Sequence, residues 1–193
     1  MLQAEEISVT TALDTIYAEL ATTGAAIAAA NGESLDAAAK ALLGARRVFT
    51  LGAGRSGIAL NMTAMRLMHL GLTAHVVGEA TAPAIEAGDV LLVASGSGTT
   101  EGIARAARKA REVGAPTIAI TADASSVIAD LCDVAIIVPA ARKLDRDSAT
   151  SVQYAGSLFE QSVVVIGDAL FHSLWKASGQ TADELWPRHS NLE

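Results

Sequence analysis

Five short apolar runs, at 48–51, 75–77, 90–94, 117–121 and 134–138, alternate with helical stretches through the middle of the chain. The runs are nearly continuous rather than alternating, as expected of parallel strands buried on both faces. Stretches 56–70 and 100–113 repeat apolar residues at helical spacing and stop at Gly71 and Gly114. A last long helix is expected over 151–177. Ahead of the first run, Leu13, Ile16, Tyr17, Leu20 and Ile27 recur at helical spacing, and Thr11-x-x-Asp14 resembles a capping box. Asn31-Gly32 should end that helix, and a second should run over about 35–43. The pattern predicts an α/β fold, a single domain with a five-stranded parallel sheet flanked by helices. Residues 1–44 would be N-terminal helices, 45–178 the α/β core and 179–193 a tail. The polar, charged loop 139–150 is the expected mobile segment.

About a dozen residues separate the second run from the third, near the minimum for a parallel crossover. That fits a flavodoxin-like order, with strands two and three flanking strand one. The switch point then lies between strands one and three, and ligands bind beyond the carboxyl ends of the strands there.

Composition narrows the class. The chain carries 14 Lys and Arg against 21 Asp and Glu, a net charge of −7, which argues against a nucleic-acid footprint. It has 40 alanines and only seven Phe, Tyr and Trp, which suits helices packed closely on a sheet and disfavours base-stacking platforms. The apolar runs at 134–141 and 163–166 fall far short of the ~18 residues of a membrane span. The start lacks a signal-peptide pattern, and a single Cys132 makes no internal disulfide. A soluble cytoplasmic protein is expected.

Both strands at the switch point end in unusual loops. Gly52-Ala53-Gly54-Arg55-Ser56-Gly57 follows the first, and Ser95-Gly96-Ser97-Gly98-Thr99-Thr100 the third. Glycines let the backbone approach a ligand, and the helix starting after each loop offers unpaired N–H groups to an anion. The hydroxyls of Ser56, Ser95, Ser97 and Thr100 add donors suited to phosphate oxygens. The first loop also matches G-x-G-x-x-G, with Glu79 placed 22 residues beyond Gly57 as in a dinucleotide fingerprint. Against that reading, a pyrophosphate does not need the second loop's hydroxyls, and no second domain is available for a hydride-transfer substrate.

The two loops resemble the sugar-phosphate loops of the sugar isomerase (SIS) domain. The stretches Ala64-Met65-Arg66-Leu67-Met68-His69, Gly156-Ser157-Leu158-Phe159-Glu160-Gln161 and Arg188-His189-Ser190-Asn191-Leu192-Glu193 narrow the resemblance to the 6-phospho-3-hexuloisomerases. The chain departs from many members at Thr99, where they carry Glu, and at Ser190, where they carry Ala.

The resemblance implies an isomerase that interconverts D-arabino-3-hexulose 6-phosphate and D-fructose 6-phosphate through an enediol(ate), in the ribulose monophosphate route of formaldehyde fixation. It implies no cofactor and no metal. It points to Glu160 and His69 as catalytic, with Glu160 the base beside the apolar stripe of the last helix. Substrate and phosphate binding would fall to Gly54, Arg55, Ser56, Ser95, Gly96, Ser97, Gly98, Thr99, Thr100 and Glu101. His189 would contribute from the tail, over this chain's site or a neighbour's. Arg46, Arg47, Arg55 and Arg66 cluster in sequence around the first loop and could offset the net negative charge, although Arg46 and Arg47 suit a solvated strand edge better. His75 reads as strand filler, His172 as a helix-surface partner of Asp168, and Cys132 as a small buried apolar residue.

The last helix is apolar on most of its girth, so with the N-terminal helix it suggests a subunit interface. A homo-oligomer is therefore expected, by resemblance a tetramer, with a small sugar phosphate as ligand and with neither nucleic acid nor membrane as partner. Two other readings stay open: another SIS-type aldose–ketose phosphate isomerase, and a non-enzymatic sugar-phosphate-binding regulator.

Overall fold

The computed structural model describes residues 8–140 and 151–192. Its five strands are β1 (Val48–Gly52), β2 (Ala74–Val76), β3 (Val90–Ala94), β4 (Thr117–Thr121) and β5 (Val134–Ile137). They form one parallel sheet in the order β2-β1-β3-β4-β5, as the short second crossover predicts. The helices are α1 (Val9–Gly44), α2 (Gly54–Leu70), α3 (Glu101–Glu112), α4 (Val127–Leu131), α5 (Ser157–Ser178) and α6 (Ala182–Leu185), followed by a 3-10 turn, Trp186–Arg188. No helix among the described residues is long and apolar enough to cross a membrane.

The pleat sorts the core into two layers. Val90, Leu92 and Ala94 of β3 face one way and pack with Leu42 of α1, Leu60 and Leu67 of α2 and Val163 and Leu170 of α5. Leu91 and Val93 face the other way and pack with Ile103 and Ala104 of α3 and Ile128 of α4. The buried face of α3 is Ile103, Ala104, Ala107 and Ala110. That small-residue face is one use of the chain's many alanines, since it lets the helix lie close on the sheet.

Two boundaries differ from expectation for identifiable reasons. Helix α1 is capped by Ser8, whose hydroxyl accepts from the Thr11 N–H at 3.3 Å, so Thr11-x-x-Asp14 lies inside the helix. Its helical backbone breaks at Asn31 (φ −124°, ψ 18°), where the first helix is expected to end, and a second helical segment continues across this kink to Gly44. The buried Asn31 amide donates to Ile27 O and Ile137 O, each at 3.0 Å, and its oxygen accepts from the Ile137 N–H at 2.7 Å. The kink therefore clamps α1 to the edge strand β5. Helix α5 starts at Ser157, not 151, because Glu19 of α1 captures the preceding turn. Its carboxylate accepts from the Ser151 hydroxyl, the Val152 N–H and the Gln153 amide, each at 2.8 Å. Ala155 then takes a left-handed φ of 49°. From residue 141 on, the polar loop expected over 139–150 lies outside the described residues.

Candidate active site

Strands β1 and β3 lie side by side, and each runs straight into one of the two loops. In the first, a Cβ on Gly57 would lie 2.6 Å from the Gly52 carbonyl oxygen, and one on Gly52 would lie 2.7 Å from the Gly57 nitrogen. Only glycine fits at both positions, so α2 starts in contact with the strand that feeds it. In the second, the Ser97 hydroxyl accepts from the Thr99 N–H at 3.3 Å and the Thr99 hydroxyl at 3.1 Å, while the Ser95 and Thr100 hydroxyls bond at 3.1 Å. The loop thus gathers its hydroxyls by bonding them to one another.

The loops form two walls of a cleft of about 420 Å³, and the start of α5 forms the third. The first turns of α2 and α5 and the N-cap residue of α3 line it. None of their N-cap residues, Ala53, Thr100 and Gly156, supplies a side-chain cap, so first-turn amides and three helix dipoles are left for a ligand. This favours an anion in a chain whose net charge is negative. Arg55, half out in solvent from the first turn of α2, is ion-paired across the cleft with Glu160 from the first turn of α5. The Glu160 side chain is only 21% exposed. Gly156 and Phe159 also line the cleft; both lie in the stretch 156–161 that carries the resemblance, but neither is among the expected site residues. Gly96 allows this packing, since a Cβ there would meet the Phe159 ring at 3.3 Å.

Of the expected residues, Gly54, Arg55, Ser56, Ser95, Gly96, Ser97, Thr99, Thr100 and Glu160 line the cleft. Gly98 of the second loop and Glu101, the first residue of α3, do not. Gly98 turns away from it with φ +62°, and a Cβ there would meet the Ser126 hydroxyl at 2.0 Å, so its role is to let the loop pack on α4. Glu101 points along α3 to Arg108 at 3.1 Å, and its side chain is 78% exposed.

His69 is at the far end of α2, fifteen residues from Gly54, which at the helical rise is roughly 22 Å away. Within one chain it does not meet Glu160. It is buried, stacks on His189 with ring centroids 4.0 Å apart, and its Nδ1 has no hydrogen-bond partner among the described residues. Burial, with the charges of His189 and Arg66 adding to it, pushes its pKa below the ordinary histidine value. The tail is tied there by Arg188, which donates to the His69 carbonyl at 3.1 Å. His189 therefore covers the far end of its own α2, not its own cleft.

The remaining arginines and the cysteine are structural. Arg46 and Arg47 sit where β1 begins, opposite the cleft, and bond Asp89 and Glu86. Burial alone would raise the Asp89 pKa, but hydrogen bonds from Arg47, Arg46 and the Glu86 N–H hold it at about 2. Arg66 lies over the Phe171 ring. His75 rests against Phe49, and His172 meets the edge of Trp175. Burial pushes the Cys132 thiol up to about 11, which keeps it protonated and unreactive. Glu79 borders a separate apolar cleft with Phe49, Val77 and Ile85, so the acid of a dinucleotide fingerprint is absent from the loop cleft.

A model of the SIS domain family matches residues 41–165, a span that holds both loops and Glu160. The chain belongs to the SIS domain family. It is 49% identical over 185 residues to a Mycobacterium gastri protein named 3-hexulose-6-phosphate isomerase, covering 96% of this chain and 92% of that one. It is 36% identical over 164 residues to a Bacillus subtilis protein of the same name, covering 84% and 89%. A Methanococcus jannaschii structure, described as inferring a function of 3-hexulose-6-phosphate isomerase, superposes with a TM-score of 0.79 at 29% identity. It covers 95% of this chain and 99% of that one. The likeness to the Mycobacterium protein extends well beyond residues 41–165, into the N-terminal helix and the tail.

Proposed function

We propose that this SIS protein is a 3-hexulose-6-phosphate isomerase, the 6-phospho-3-hexuloisomerase of the ribulose monophosphate route. The observation that carries this reading is the meeting, at the switch point of the sheet, of two hydroxyl-rich anion loops with one glutamate on a third helix start. The near-full-length identity to relatives of that name gives the substrate.

The phosphate sits between the starts of α2 and α3, held by their amides, by Arg55 and by the hydroxyls of Ser56, Ser95, Ser97 and Thr100. That fixes the far end of the sugar and leaves the middle of its carbon chain beside Glu160. The carboxylate takes the proton from carbon 2 while the oxygen on carbon 3 gains one, giving the enediol. It returns its proton to carbon 3 as the oxygen on carbon 2 loses one, and the carbonyl has moved to carbon 2. One carboxylate serves as base and then as acid, help typically worth about 10²–10⁴-fold.

The protein works as a homo-oligomer in the cytoplasm. In support, α2 exposes Ile58, Met62 and Met65 on one stripe, and α1 exposes Val9, Leu13 and Tyr17 on another. Apolar stripes of this kind suit helix-to-helix contact between copies. A neighbouring copy is the route by which His69 and His189 reach a Glu160 cleft, with a tetramer the favoured state.

The test is a coupled assay. Purified protein is given the condensation product of formaldehyde and ribulose 5-phosphate, and fructose 6-phosphate is measured. Enzyme-dependent formation is expected. A yield equal to the protein-free control would refute the proposal.

A further inference from the structure

The ion pair between Arg55 and Glu160 sets two uses of these groups against each other. A carboxylate that is to take a proton from carbon needs an oxygen turned toward that proton, and the Glu160 oxygen held by Arg55 is turned toward the guanidinium instead. An arginine that is to hold a phosphate needs its fork of donors turned toward that phosphate. While the pair is closed, the Arg55 Nε and one Glu160 oxygen are occupied with each other.

The two partners are not equally fixed. The Glu160 side chain is 21% exposed and set into the wall beside Phe159 and Gly156, whereas that of Arg55 is 67% exposed. Arg55 makes no other hydrogen bond or ion pair among the described residues. It is also the one cationic side chain among the described residues lining the cleft. The arginine is therefore the partner that can move, and when it moves no other cation among the described residues lining the cleft remains beside the carboxylate.

A sugar phosphate supplies the reason to move. Its phosphate carries a charge of about −1.5 to −2 at neutral pH and three acceptor oxygens, against one charge on Glu160. The position for it, between the starts of α2 and α3, adjoins Arg55 itself.

Building on the proposed role of Glu160, we infer that Arg55 is a phosphate-operated release for the base. It restrains the Glu160 carboxylate until the substrate's phosphate claims the guanidinium, and the carboxylate then becomes free to accept the carbon-bound proton. Binding energy from the non-reacting end of the substrate is thereby used to switch on the reacting end. Sugars lacking the phosphate would enter the cleft and meet a restrained base.

The experiment separates the phosphate from the sugar. D-Fructose, which lacks the phosphate, is incubated in D₂O, and loss of its carbon-3 proton is followed by NMR with and without added phosphite dianion. In the wild type, phosphite should speed the exchange by up to about fivefold, the most an exposed ion pair can hold back. Arg55→Ala should exchange faster than wild type without phosphite, near the phosphite-activated rate, and gain nothing when phosphite is added. Arg55→Lys keeps a cation and should remain phosphite-activated. The inference is overturned if phosphite leaves the wild type unchanged, if Arg55→Ala without phosphite is no faster than wild type, or if Arg55→Ala still responds to phosphite. Glu160→Gln is the separate control: it should exchange under neither condition. Wild-type exchange by that variant would remove Glu160 as the base, whatever Arg55 does.

Discussion

Helices α2 and α5 make the contact that sets Arg55 and Glu160 on facing walls, and one glycine carries it. A Cβ on Gly167 of α5 would lie 2.0 Å from the Thr63 hydroxyl oxygen of α2 and 3.1 Å from the Thr63 Cβ. Thr63 is buried at 2% exposure and β-branched, so rotating it only presents its methyl instead of its hydroxyl. In Gly167→Ala the helices must therefore separate. Overpacking of this kind costs about 1–3 kcal/mol, and the better helix propensity of alanine returns about 1 kcal/mol. The net expectation is a loss of up to about 2 kcal/mol, which for a domain of this size lowers Tm by about 2–4 °C per kcal/mol. Thermal unfolding measures it, and a double-mutant cycle with Thr63→Ala tests the cause. Thr63→Ala should cost less in the Gly167→Ala background than in the wild type, because it removes the atom that clashes. A Gly167→Ala protein more stable than wild type, or additive losses in the cycle, would refute this account of the helix contact.

Two further outcomes follow from buried polar groups. Asn31→Ala removes three hydrogen bonds and leaves the partly buried amide of Ile137 without its partner, so it should cost about 2–3 kcal/mol in a denaturant titration; a loss under about 0.5 kcal/mol would contradict the clamp. Asp89 has its folded-state pKa lowered from 3.8 to about 2, so its stabilisation is complete above the ordinary carboxylate pKa and is lost as pH falls toward 2. Asp89→Asn should therefore be less stable than wild type by about 2 kcal/mol near neutral pH, with the gap closing between about pH 4 and pH 2; a gap independent of pH would show that the charge is not what matters.

How much of this could be read from the sequence depends on how local each cause is. The bounds of β3 and β4 are legible because both are unbroken apolar runs ending at polar loops. Strand order is legible to the extent that the short second crossover fits the flavodoxin-like order observed. Helix α4, at five residues, is too short to show a period. Helix α6 does carry a signal, the capping box of Thr181 with Glu184. The start of α5 is not legible, since the glutamate that pulls 151–153 out of the helix lies more than 130 residues away. In the site, a loop motif names its residues without saying which face inward, so Gly98 and Glu101 look like ligands when one supports the turn and the other faces solvent. His69 is the opposite case. The length of α2 alone puts it far from the loop that starts that helix, and its motif resemblance conceals this.

The central claim is that a single carboxylate in the loop cleft moves the proton, and Glu160→Gln tests it most directly. The variant keeps the size and shape of the side chain and removes its basicity. The measurement is turnover of 3-hexulose 6-phosphate beside the affinity for fructose 6-phosphate. Affinity should stay within a few-fold of wild type while turnover falls by about 10²-fold or more. Turnover at the wild-type rate with the same affinity would contradict the claim.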